Sequence, residues 1–348
     1  MQDLTIVLTL YDRGNYYTYP KRWTSFANKH LCNFKIFIAD GTGLKKIKDY
    51  FNNKDNFINL DLTYYEYSKD NSYKDYFSKL NDCIDKVKTK YIVLADDDDF
   101  YSAEGLKKSI NFLEKNNNFS TCRGIIGSFN LSNQNYLSDF FVPKAQNSFI
   151  LDRPIERFKS YYNSISIAPI FYDVHRSDLQ KENFKKLNQG NFIEPVMVEM
   201  LPEMLDVLQG KIARIDEIYL MRQQNNNNSA HKQYVDKSGD IMHRLCFGDF
   251  NNDLKIWAKI ISKKISNLEK IKESESFKVV TDTYKDAIIR SFQIRKKKKI
   301  LFSLKSSTFI PDIKKYIKNI YNFLFGYKKL TSTDHFISKI DEHLRSNK

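Results

Sequence analysis

Residues Tyr91-Ile92-Val93-Leu94-Ala95 form an apolar run that leads straight into Asp96-Asp97-Asp98-Asp99. A short apolar run of this kind reads as a strand buried on both faces. Burial on both faces requires covering layers, and helices on either side of a parallel sheet provide them. The four carboxylates constrain the chain further. Close like charges raise one another's pKa and cost stability. A fold that carries this junction must set it where a compensating cation is available.

The rest of the first hundred residues supplies the layers. Leu4 to Leu10 reads as a buried strand ending at Tyr11-Asp12-Arg13-Gly14. Helical spacing around Trp23 and Phe26 predicts a helix over 19–31, and Phe34 to Ala39 a second strand stopped by Asp40-Gly41-Thr42-Gly43. A short helix over 44–52, a third strand from Leu60 to Tyr67 and a helix from Tyr73 to Val87 follow. Strand and helix alternate, which predicts an α/β fold with a mainly parallel sheet flanked by helices. In open sheets of that kind ligands bind beyond the C-terminal ends of the strands. Three polar clusters fall at such ends: Thr9 to Arg13, Asp40 to Gly43, and Asp96 to Asp99. They are expected to meet in one crevice.

Gly124 to Phe129 and Ser166 to Tyr172 read as further strands, with residues 130–160 between them polar and irregular. A helical segment from Glu194 to Leu208 is expected to break at Pro202. Lys211 to Leu220 reads as a strand, Asn225 to Asn228 as a loop, and residues from about 241 onward as helical. The reading gives two regions, 1–240 and a basic helical 241–348.

Composition narrows the class. The chain is 41% hydrophobic and 28% charged, with 26 Phe and 22 Tyr, enough for a sizeable core and against global disorder. No apolar run reaches the ~18 residues that spanning a bilayer takes. Met1-Gln2-Asp3-Leu4 does not open like a secretory leader. Cys32, Cys83, Cys122 and Cys246 form no C-x-x-C pair, which argues against a zinc ribbon and fits a reducing cytoplasm. The net charge of +14 is uneven. Residues 241–348 hold 24 lysines and arginines against 11 acidic residues, whereas residues 1–240 are nearly neutral. A basic region of this kind suits an anionic surface, membrane or nucleic acid.

Along an extended segment alternate residues face the same way. Asp96 and Asp98 are therefore expected to point together, and Asp97 and Asp99 the other way. Hard oxygen ligands suit Mg²⁺ or Mn²⁺, and Mg²⁺ commonly takes one or two carboxylates plus substrate phosphates.

Ala95-Asp96-Asp97-Asp98-Asp99-Phe100 resembles the aspartate-x-aspartate motif of GT-A fold glycosyltransferases, especially the bacterial family 2-like enzymes. Other segments agree in order. The first strand and its polar turn, with Thr9, Tyr11 and Arg13, resemble the nucleotide-binding start of that family. Asp40 stands where the family places an aspartate for the base or ribose, and Asn81 resembles the asparagine of the helix before the metal motif. Gly190-Asn191-Phe192-Ile193-Glu194-Pro195 is similar to the later acidic motif. Arg214 to Gln223 is similar to the closing strand and its arginine. The resemblance spans residues 3–232. Two departures stand out: Glu194 is followed by Pro195 instead of an aspartate, which makes Glu199 a rival, and the arginine before Asn81 is missing, with Lys79 nearby.

The resemblance implies a Rossmann-like GT-A domain that transfers a sugar from a nucleotide-sugar donor, a UDP-sugar being favoured, to a glycan or lipid-linked acceptor. Surface polysaccharide such as a capsule is the implied product class. Mn²⁺ or Mg²⁺ would sit on Asp98 and Asp96, with His231 a further ligand. Thr9, Tyr11, Arg13, Asp40, Asn81, Asp96 and Asp97 would bind the donor nucleotide. Glu194 or Glu199 would take the acceptor proton in an inverting displacement. The basic tail adds an expectation of peripheral contact with anionic membrane on the cytoplasmic face. Beyond Arg295-Lys296-Lys297-Lys298-Lys299, a helix opened by Pro311 sets Ile313, Ile317, Ile320 and Leu324 on one face. The helical region is also a candidate dimer element. A sugar-phosphate nucleotidyltransferase is the rival enzyme, but Tyr11 to Tyr16 holds one glycine where that class has a glycine-rich loop. A nucleic-acid-binding protein is the rival from another class; it leaves the four aspartates unexplained, and no nucleic-acid partner is expected.

Overall fold

The computed structural model describes residues 2–12, 18–131, 137–143, 147–164, 170–224, 250–306, 327–328 and 335–346. Strands β1 (Leu4–Leu10), β2 (Lys35–Asp40), β3 (Asp61–Glu66) and β4 (Tyr91–Ala95) alternate with helices α1 (Thr18–His30), α2 (Lys45–Asn52) and α3 (Tyr73–Asp85). The four strands pair in parallel in the order β3-β2-β1-β4. Every residue of β1 and β4 is buried, as apolar runs covered on both faces require. Helix α1 buries Trp23, Phe26 and Ala27, a stripe at helical spacing. Helix α3 starts at Ser72, whose side chain accepts from the Asp75 N–H, and it buries Phe77, Leu80, Cys83 and Ile84.

Beyond β4 the chain adds β5 (Phe100–Tyr101), α4 (Ala103–Lys115), β6 (Phe119–Leu131), β7 (Leu137–Pro143), α5 (Pro154–Asn163), β8 (Val174–Arg176), α6 (Ser177–Gly190), α7 (Pro195–Gln209) and β9 (Lys211–Gln223). Helices α8 (Phe250–Glu269) and α9 (Glu273–Ser306), strand β10 (Tyr327–Lys328) and helix α10 (His335–Ser346) follow. The sheet order is β10-β7-β6-β8-β4-β1-β2-β3, with β9 joining β6 and β5. Strand β8 runs antiparallel between β4 and β6, and β9 runs parallel to β6.

Hydrophobic side chains fill both faces of the sheet. One cluster joins α3, α5, α6 and α7 to Trp257 and Ile261 of α8 and Val280 and Tyr284 of α9. The other joins α1, α2 and α4 to Ile340 and Leu344 of α10. Among the described residues no helix is long and apolar enough to cross a membrane.

Four sequence expectations change. Residues 130–160 are not irregular throughout, since they hold β7 and α5. Helix α5 reads as polar because it contains Arg157, yet Arg157 is buried and donates to the carbonyls of Leu151, Asp152, Val207 and Leu208. No strand runs through Ile170–Tyr172; these residues form a turn, closed by the Asp173 N–H donating to the Ile170 carbonyl, and β8 begins at Val174. Helix α7 continues through Pro202, because Leu201, Met204, Leu205, Val207 and Leu208 are all buried around it and their packing outweighs the lost bond. The region after 241 is not wholly helical: β10 adds an antiparallel strand to β7. The amphipathic segment opened by Pro311 lies outside the described residues.

Candidate active site

The register sets the strand ends side by side. Leu10 of β1 lies opposite Asp40 of β2, and Leu8 opposite Ala95 of β4. The polar clusters after β1, β2 and β4 therefore lie side by side at one edge of the sheet. Thr9 is buried and donates to the Tyr76 hydroxyl at 2.9 Å, and the Tyr11 and Tyr76 rings meet edge-on at 6.5 Å. Asp40 is buried and held at both oxygens: Oδ1 accepts from the Thr42 N–H at 2.8 Å and Oδ2 from the Tyr64 hydroxyl at 2.6 Å. Beneath these strand ends Lys79 donates to the Leu10 carbonyl at 2.8 Å and pairs with Asp70, both buried. Gly41 permits this approach, because a Cβ there would lie 2.3 Å from Asp70 Oδ2.

After Ala95 the chain turns instead of continuing extended. Alternation therefore fails after Asp98, and Asp99 joins the pair. Ligand oxygens of Asp96, Asp98 and Asp99 lie within 4.8 Å of one another. Asp97 is buried and stands outside this trio. Arg222, near the end of β9, meets the trio from the side. Its Nε donates to Asp99 Oδ2 at 2.9 Å, and its Nη2 lies 3.7 Å from Asp96 Oδ2. The Gln223 N–H donates to Asp99 Oδ1 at 3.1 Å. Burial pushes the Asp99 carboxyl up to about 8, opposed by Arg222 and reinforced by Asp98 and Asp96.

Glu199, on α7, lies within electrostatic reach of Asp96. Its side chain is open to solvent, yet surrounding protein and the Asp96 charge push its carboxyl up to about 7, against Arg222. A residue in the wall of a crevice has both properties. Glu194 faces elsewhere: it is buried at the start of α7, its N–H donates to Asp253 of α8, and its charge acts on Tyr284 of α9. Asn81 lines a groove between α3 and α6 with Asp85 and Lys181, away from the crevice. From α3, Tyr76 and Lys79 are the residues that reach the strand ends. Arg13 and His231 lie outside the described residues. His175 is fully buried; although burial opposes its charge, Asp206 at 3.0 Å holds it above its ordinary pKa, a structural pairing.

Sequence reasoning missed Tyr172, whose hydroxyl donates to Asp96 Oδ2 at 2.6 Å and whose ring carries the Arg222 guanidinium at 4.3 Å. It also missed the back of the corner. His343 of α10 is buried with its Nε2 3.0 Å from the Arg22 carbonyl, and its ring packs on Phe26 and Phe100. Burial lowers His343 to about 4, so it is neutral and its Nε2–H donates. Arg22 in turn donates to the Gln223 side chain at 2.9 Å. No local sequence signal marks Tyr172 or His343.

No protein-family model matches the chain, and no curated protein matches it. Solved structures do. Residues 1–349 of S. aureus TarS in complex with UDP-GlcNAc share 11% identity over 82% of this chain and 72% of that one, with a TM-score of 0.52. The same protein in complex with UDP shares 12% identity over 99% of this chain and 90% of that one, with a TM-score of 0.48. The sheet order, its flanking helices and the first of these likenesses give the chain an α/β GT-A fold.

Proposed function

We propose that the chain is a metal-dependent, inverting glycosyltransferase that moves a sugar from a UDP-sugar to a hydroxyl of a bacterial surface polysaccharide or lipid-linked glycan. The observation that carries this reading is the carboxylate trio at the C-terminal end of β4. The UDP-GlcNAc held by the similar S. aureus structure supports a nucleotide-sugar donor.

The residues present fit a hard divalent cation. Three carboxylates share one corner, and Arg222 already engages Asp99. Asp98 and Asp96 are the residues that would hold Mn²⁺ or Mg²⁺. When bound, such an ion supplies Lewis-acid neutralisation of the departing diphosphate. Thr9, Tyr11 and Asp40 line the nucleotide side, and Asp97 backs it. In the same reading Arg13 would contact the donor nucleotide and His231 would be a further ligand to the cation. Glu199 accepts the acceptor hydroxyl proton as that oxygen bonds to the anomeric carbon and the carbon–phosphate oxygen bond breaks. We favour Glu199 over Glu194 because Glu199 is open to solvent and feels the Asp96 charge, whereas Glu194 is buried where its N–H meets α8. The basic excess of residues 241–348 supports peripheral work at an anionic membrane on the cytoplasmic side.

Thermal melting with UDP, GDP, CMP and dTDP, each with and without Mn²⁺, tests the reading. A ligand at ~100 times its Kd stabilises by ~2.7 kcal/mol, a visible shift. UDP is expected to raise the melting temperature only with Mn²⁺. Absence of a shift with every nucleotide overturns the donor assignment.

A further inference from the structure

The acidic corner is built partly by a turn that touches none of the three strand ends in sequence. Residues 170–173 hang between α7 and the aspartates. Glu203 of α7 is buried and satisfies the turn from behind: Oε1 accepts the N–H groups of Ile170 at 2.9 Å and Phe171 at 3.1 Å, and Oε2 accepts the Tyr161 hydroxyl at 3.0 Å. The Tyr172 carbonyl accepts from the Tyr219 hydroxyl at 2.9 Å. With its backbone held on both sides, Tyr172 reaches forward. Its hydroxyl donates to Asp96 Oδ2 at 2.6 Å and accepts from Arg222 Nη2 at 3.1 Å. The ring underlies the guanidinium at 4.3 Å.

We propose that Tyr172 is a positioning residue that fixes Asp96 and Arg222 against each other, with Glu203 holding the turn that carries it. The inference rests on the glycosyltransferase reading of the site. A phenol has one hydrogen to donate and lone pairs to accept with. Both functions are used here, the donor on a carboxylate and the acceptor on a guanidinium. Tyr172 thereby commits Oδ2 of Asp96, so that a cation would be taken through Oδ1. It also keeps Arg222, whose Nε is on Asp99, from swinging fully onto Asp96. Helix α7 links this to the proton acceptor: Glu203 lies one helical turn after Glu199, so the helix that presents Glu199 also anchors the turn that orients Asp96. Partners in the outer shell of a metal-binding carboxylate are worth 10–100-fold in metal affinity or activity when removed, on the order of what is expected here.

The test is Mn²⁺ titration of the full chain with MnCl₂ alone, followed by the electron paramagnetic resonance signal of free Mn²⁺, in wild type, Tyr172→Phe and Glu203→Gln. Tyr172→Phe keeps the ring under Arg222 and loses the hydroxyl. It is expected to weaken Mn²⁺ binding about tenfold or more, with the melting temperature of the metal-free protein little changed. Turnover at saturating Mn²⁺ is expected to recover in part, which separates lost positioning from lost folding. Glu203→Gln retains an acceptor oxygen for the turn and is expected to bind Mn²⁺ within a few-fold of wild type, while Glu203→Ala loses that binding. Wild-type Mn²⁺ affinity in Tyr172→Phe overturns the role of Tyr172 and leaves the glycosyltransferase reading standing. A wild-type chain that takes up no Mn²⁺ at millimolar concentration, with or without UDP, overturns both.

Discussion

Two sets of carboxylates in this fold are treated in opposite ways. Away from the trio, several buried acids are matched. Asp173 lies 2.8 Å from both Arg123 and Arg214 and accepts from Thr121, and all of these are enclosed. Asp206 is met by His175, Gln180 and Asn183, and Asp70 by Lys79. At the end of β4, Asp96, Asp98 and Asp99 are gathered together and the Asp96 charge acts on Glu199; among the described residues Arg222 is the cation within salt-bridge reach of Asp96 and Asp99. The matched acids hold the molecule together. The crowded ones gather negative charge at one corner; burial raises the carboxyls of Asp99 and Glu199, and the neighbouring acids add to the rise.

Neutralising one member of each set should separate these roles. Asp98→Asn is expected to cut Mn²⁺-dependent turnover by roughly 10³-fold, about 4 kcal/mol of transition-state stabilisation. The melting temperature of the metal-free variant should stay level or rise, since one like charge is gone. Full metal-dependent turnover in that variant would sink the metal assignment. Asp173→Asn should do the reverse. It leaves Arg123 and Arg214 buried beside each other, and losing one partner of a buried pair costs ~3–5 kcal/mol, readable by urea unfolding. Burial already pulls Arg123 down to about 10, with Arg214 adding to the fall, which shows how much that site needs its counter-ion. A loss below ~1 kcal/mol would show that the matched set is not structural in the sense argued.

The mildest comparison uses pH. Glu199 must be ionised to accept a proton, so kcat is expected to climb with pH through about 7 and then level off. Stability should move the other way. A carboxyl raised from 4.5 to about 7 in the folded state binds its proton more tightly there than in the unfolded chain, so Glu199 costs stability as pH rises across that window. Glu199→Gln should remove the pH limb and lower turnover by ~10²-fold with donor binding retained. If Glu194→Gln does this instead, the proton goes to the buried glutamate.

The parallel half of the fold was readable because its determinants are local. β1 and β4 are unbroken apolar runs, and each ends in polar residues whose register brings them together. Asp96 and Asp98 could be paired from alternation alone. Asp99 could not, since its inclusion depends on a turn after Ala95 that no propensity marks. Glu194 and Glu199 were likewise inseparable in sequence, lying five positions apart; the direction of α7 and the packing of α8 and α9 against its start distinguish them. Tyr172 and Arg157 were hidden for a related reason. A tyrosine in a turn and an arginine in a polar-looking helix gain their roles only from distant carboxylates and carbonyls.

The contact between α10 and α1 carries a cost of its own. His343 and the Arg22 carbonyl it bonds are 321 residues apart. Closing so long a loop costs ~2 kcal/mol more entropy than closing the ~30-residue loops that join β1 to β2 and β2 to β3. Assembly of that half can therefore run ahead, since its partners are near in the chain. The brace behind Gln223 and Asp99 depends on an encounter between remote segments. The aspartate corner is thus secured late, after the sheet that displays it already exists.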